Sequence, residues 1–103
     1  NHYTVESTEP RVQEFVKSYK AKYNEVPDAM AALGYDAAKI LFNALATAGS
    51  TDAKAIRDAL AATKDFTGVT GTITIDKDRN AVKPAVVLEM KGGKQTYVTT
   101  VEP

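Results

Sequence analysis

The sequence predicts an α/β chain of three helices followed by a small antiparallel β-sheet with a C-terminal hairpin. Three observations carry that prediction. Apolar residues recur at helical spacing from Val12 to Leu60, and the period shortens to two beyond Phe66. Gly92-Gly93 then stands between two β-rich runs, where both central residues of a tight hairpin turn must accept positive φ.

The first helix has Ser7 or Thr8 as its expected cap, with Glu9 and Pro10 in its first turn, where proline lacks only an amide hydrogen that had no partner. Val12, Phe15, Val16, Tyr19 and Tyr23 form its apolar stripe, and Lys17, Lys20 and Lys22 fall between them, which predicts a surface helix. Asn24 is a suitable left-handed terminator, and Pro27-Asp28 reads as a turn into the next N-cap. The second helix spans Ala29 to Ala48 and ends at Gly49. Its polar positions Asp36, Lys39, Asn43 and Thr47 form one narrow line, and a helix about 30 Å long that is apolar elsewhere needs neighbours on several sides. The third helix is capped by Ser50, Thr51 or Asp52 and turns Ala53, Ile56 and Leu60 inward.

Gly68 and Gly71 bracket a tight approach into Thr72-Ile73-Thr74-Ile75, which alternates as a half-buried strand does. Asp76 to Asn80 is a polar turn, Pro84 can only open a strand or lie on an edge, and Ala85 to Met90 is the second strand. Gln95 to Val101 returns as the third. There is no internal repeat and no low-complexity linker.

Bulk properties narrow the function. A chain of 103 residues has the length of a single domain, and 44% hydrophobic content with a mean hydropathy of -0.27 fits a soluble globular chain. Thirteen basic residues balance thirteen acidic ones, so nucleic acid is not an expected partner. The absence of cysteine removes a disulfide framework, a thiolate metal site and a cysteine nucleophile together. Asp36, Lys39 and Asn43 interrupt the apolar stretch from Ala29 to Ala48, which reads as a buried helix and not a membrane span. The first residue is Asn1 and not an initiator Met, and an upstream segment is expected to have been removed.

Candidate chemistry is sparse. Asp76, Asp78 and Asn80 match the first ligand positions of an EF-hand calcium loop, but Ala81 replaces the turn glycine and Val87 the closing glutamate, so a solvated turn is expected. His2 is the one histidine, has no partner at ligand spacing, and reads as a disordered terminal residue. Lys91-Gly92-Gly93-Lys94 lacks the remaining positions of a phosphate loop. The carboxylates lie on faces that read as exposed, and no nucleophile, metal set or acid and base pair emerges. No enzyme, cofactor or metal is therefore expected. Tyr35, beside Gly34 and Asp36 in an alanine-rich helix, reads from spacing alone as core packing.

Pro10-Arg11-Val12-Gln13-Glu14-Phe15 through Tyr19 and Tyr23, Val26-Pro27, Gly34-Tyr35-Asp36-Ala37, Ala48-Gly49-Ser50-Thr51-Asp52 and the run from Phe66 to Asp76 follow one another with characteristic gaps. In that order they resemble the closing third of type I periplasmic solute-binding proteins of ABC importers, nearest the branch that binds leucine, isoleucine and valine. The resemblance covers essentially the whole chain and implies a C-terminal fragment, residues 1–103, of a two-lobed receptor that closes over its ligand. It implies an amino-acid ligand, most commonly branched-chain, and presentation to the membrane subunits of an ABC permease. It also implies a periplasmic or extracytoplasmic location, with or without a lipid anchor. The family's aromatic residue near the start of this helix often lines the cleft, which gives Tyr35 a ligand-binding role; the other ligand groups come from segments outside this chain. The alternatives are a protein-interaction module and a ligand-sensing domain of the same ancestry, which flanking sequence would separate. Self-association of the fragment is expected, because helix two is apolar around most of its surface.

Overall fold

The structure, a computed structural model, describes residues 2–103. Helix α1 covers Pro10–Tyr23, α2 Ala29–Ala48 and α3 Ala53–Ala61. Strands β1 Phe66–Gly68, β2 Gly71–Ile75 and β3 Ala81–Val82 follow, and then β4 Ala85–Lys91 and β5 Lys94–Val101. The helices lie where the periodicity places them. Asn24 closes α1 at φ 54° and Gly49 closes α2 at φ 59°. Asp28 and Asp52 cap α2 and α3 by accepting from the amides of Ala31 at 2.8 Å and Ala55 at 3.1 Å.

The cap of α1 differs from expectation. Pro10 at the first helical position holds the preceding residue extended, so Glu9, at φ -61° and ψ 126°, is the N-cap, without a capping hydrogen bond from its side chain. Ser7 Oγ instead accepts from the Glu9 amide at 3.3 Å, and Gln13 Nε2 reaches back to the carbonyl of Ser7 at 2.6 Å. On α3, Ile56 and Leu60 are only half-buried and Ala53 is exposed, because one face of this short helix meets α2 and the rest meets solvent.

The β-region departs further. It forms two antiparallel sheets in place of one: β1-β2-β3, and a separate β4-β5 ribbon. Strands β1 and β3, three and two residues long, are too short to show a period of two. In the ribbon, Gly92 and Gly93 turn at φ 56° and 76° as expected, and the register shifts between Val87 and Leu88. Pro84 stands immediately before β4 and against Gly71, whose φ is 109° and whose added Cβ would lie 2.7 Å from Pro84 Cγ.

The core lies between α1, α2 and the β1-β2 turn. Tyr3, Val12, Phe15, Val16, Ala32 and Val69 form one buried cluster. Tyr3 enters it from the extended lead-in, edge-on to Phe15 at 6.1 Å, with its hydroxyl donating to the Pro27 carbonyl at 3.3 Å. Burial, reinforced by the Asp28 carboxylate, raises the Tyr3 phenol from 10.0 to about 12. Between those values the unfolded chain ionises while the folded chain keeps its proton. Stability is therefore expected to fall as pH climbs through this window. Tyr3→Phe should remove that component of the alkaline slope in urea titrations across the window; an unchanged slope would assign it to other groups.

Candidate functional site

Between α1, α2 and β1 lies a cavity of about 260 Å³. Arg11, Glu14, Phe15 and Ser18 line it from α1, Tyr35, Asp36 and Lys39 from α2, and residues 66–69 from β1 and its turn. Tyr35 is 40% exposed, with its ring tilted over Phe15 at 4.8 Å and the Lys39 ammonium 5.6 Å from its centroid. It thus has one face on the core cluster and an open side toward the cavity. A shallower apolar recess of about 250 Å³ continues from it along Tyr19 and Tyr23.

Asp36 is the residue that sequence reasoning misplaced. Far from belonging to a solvated line, it is 2% exposed, and its carboxylate grips the β1-β2 turn. Oδ1 accepts from the Val69 amide at 2.8 Å, and Oδ2 accepts from the Thr70 amide at 2.7 Å and the Thr70 hydroxyl at 2.6 Å. A buried carboxylate needs such donors to offset lost hydration. The turn can approach because residue 68 is glycine: a Cβ there would lie 2.6 to 2.9 Å from the Asp36 carboxyl atoms. On its other side, Arg11 Nε donates to the Gly68 carbonyl at 2.7 Å. Lys83 Nζ donates to Thr70 Oγ1 at 3.2 Å, and its partial burial lowers its pKa despite the opposing pull of Asp36.

The other sequence candidates are placed elsewhere. Asp76 Oδ1 accepts from the amides of Asp78 at 2.9 Å and Asn80 at 2.8 Å, so this carboxylate braces its own turn, and those bonds, the Asn80 amide foremost, hold it below its usual pKa. Among the described residues no group of His, Asp and Glu side chains is disposed to hold a metal ion. His2 is not disordered. Its Nδ1 lies 2.8 Å from the Pro84 carbonyl oxygen, because the lead-in runs beside the entry to β4.

The chain matches the family described as periplasmic binding protein over residues 1–95. It belongs to that family. Among solved periplasmic binding proteins it is 36% identical to a leucine-binding protein, LivK, from Thermotoga maritima, covering 100% of this chain and 30% of that one with a TM-score of 0.86. LivJ of Streptococcus pneumoniae, in complex with isoleucine, is 38% identical over 100% of this chain and 29% of its own, also at 0.86. A solute-binding protein of an ABC transporter from R. palustris, in complex with benzoate, is 31% identical over 99% and 29%, at 0.84. The chain thus spans under a third of the length of the periplasmic binding proteins it matches, and its three helices and small sheets are a portion of the type I fold. Membership places it outside the cytoplasm. No helix among the described residues is long and apolar enough to cross a membrane.

Two signals for the grip of Asp36 were present in the sequence. A carboxylate inside an alanine-rich helix is costly unless paired, and Gly-Val-Thr-Gly is short enough to present consecutive amides to one acceptor. Neither signal states that the two segments meet, being more than thirty residues apart in the chain.

Proposed function

We propose that this chain is the C-terminal portion, residues 1–103, of the extracytoplasmic receptor of an ABC importer. The receptor binds an amino acid of the branched-chain class between two lobes and delivers it to the permease. The observation that carries this reading is the match of the whole chain, at 36% and 38% identity, to one protein named for leucine and another in complex with isoleucine. Such a receptor performs no reaction, and its partners are the solute, the membrane subunits and the remainder of its own two lobes. In this reading Tyr35 contacts the ligand, supported by its open side and by the aromatic cavity it shares with Phe15 and Phe66. That aromatic lining, with the benzoate-bound relative, favours an aromatic acid as the second candidate ligand.

Calorimetric titration of the full-length receptor with leucine, isoleucine and benzoate separates these ligands. Tyr35→Ala should reduce affinity for the true ligand by roughly tenfold to a hundredfold, the loss of an aromatic contact of about 1 to 3 kcal/mol. Unchanged affinity with an intact fold would return Tyr35 to packing on Phe15 alone.

A further inference from the structure

We infer that Asp36 and Thr70 are positioning residues for the cavity bearing Tyr35: by clamping the β1-β2 turn to α2 they set where its opposite wall stands and how the Tyr35 ring is presented. The affinity arm of this inference rests on the ligand-contact reading of Tyr35.

Tyr35 and Asp36 are neighbours on one helix, where successive side chains diverge by about 100°. One side chain lines the cavity on Phe15, and the other holds the turn through three hydrogen bonds. The turn in question supplies Gly68 and Val69 to the same cavity. Val69 is also buried in the cluster that contains Phe15, the ring beneath Tyr35. A displacement of the turn therefore reaches Tyr35 by two routes, through the wall facing it and through the packing below it. Thr70 is the pivot of the clamp. Its hydroxyl donates to Asp36 while accepting from Lys83, on the segment that leads into β4, and the residue is 1% exposed. Arg11 secures the turn from α1 through the Gly68 carbonyl. Elements that surround the cavity are thus joined at one point, where Asp36 is the side chain through which α2 is hydrogen-bonded to the turn.

The test uses the full-length receptor with fluorotyrosine incorporated, comparing Thr70→Val, which removes the hydroxyl at nearly constant volume, with Thr70→Ser, which keeps it. Asp36→Asn, which keeps one oxygen acceptor, is the second variant. Thr70→Val is expected to shift the Tyr35 fluorine resonance while leaving that of Tyr97, on the ribbon, in place, and to weaken leucine binding by about tenfold at a temperature well below the melting point. Thr70→Ser should restore both. A Tyr35 resonance unmoved in both Thr70→Val and Asp36→Asn would overturn the inference, whatever happens to the melting temperature, because a purely structural clamp lowers stability without altering the folded ring. Tyr35→Ala, run alongside, separates the two claims. If it leaves affinity unchanged while Thr70→Val still moves the resonance, the ligand reading fails and the positioning role stands.

Discussion

Asp36→Ala is expected to destabilise the fold by about 3 to 5 kcal/mol. The loss is large because truncation leaves the Val69 and Thr70 amides and the Thr70 hydroxyl, all buried, with no acceptor, and each orphaned group costs about 1 to 3 kcal/mol. Against a typical total stability of about 5 to 15 kcal/mol, this takes much of what holds the native state. Gly68→Ala attacks the same clamp from the opposite side. Its Cβ would meet the carboxyl atoms at 2.6 to 2.9 Å, and neither partner can withdraw without breaking bonds to the turn. Urea unfolding of the full-length receptor followed by circular dichroism measures both variants. Asp36→Asn should fall between wild type and Asp36→Ala, since one oxygen remains to accept. A loss below about 1 kcal/mol in Asp36→Ala would show that water replaces the carboxylate without cost, and would remove the clamp from the account of stability.

The second large effect concerns association. The 103 residues alone are expected to self-associate and to bind no amino acid tightly. Met30 is 75% exposed, Phe42 62% and Leu41 41%, and Met30, Gly34, Ala37 and Leu41 follow one another at helical spacing along an uncovered stripe of α2. Among the described residues the β4-β5 ribbon pairs with no further strand, and it exposes Val87, Met90, Val98 and Val101 as well. Pairing of two copies would cover part of both surfaces, and exchange of the ribbon is a low-cost route to a symmetric dimer. Light scattering over a range of concentrations should report a mass above 11.1 kDa that rises with concentration. Leu41→Glu should shift the equilibrium back toward monomer by placing a charge in the stripe. A monomer at every concentration would refute the first part, and tight saturable binding of leucine by this chain would refute the second.

How far the sequence could be read depends on the range of each interaction. The helix bounds were legible because their determinants are local: Asp28 and Asp52 bond within one turn, Asn24 and Gly49 need only their own φ, and the stripe of α1 is continuous through Val12, Phe15 and Val16. The Gly92-Gly93 turn was legible for the same reason. Asp36 was not, because its partners lie more than thirty residues away and its helical spacing coincides with that of the exposed Lys39 and Asn43. The division into two sheets was hidden too. Strand β3 pairs only through Thr74–Val82 and Ile75–Ala81, and no periodicity can be seen in two residues. Tyr35 illustrates an intermediate case, since its position on α2 was legible but its half-exposed seat over Phe15 depends on how two helices cross.

The clamp has a consequence for how the molecule exchanges hydrogen with solvent. Most backbone amides that escape protection near a turn do so by local fraying, but those of Val69 and Thr70 end on a buried carboxylate of another element. Neither can reach water unless α2 and the β1-β2 turn part. In deuterated solvent these two protons therefore belong with the slowest helical amides in spite of lying in a turn, and their decay reads the separation of helices from sheet as a single event.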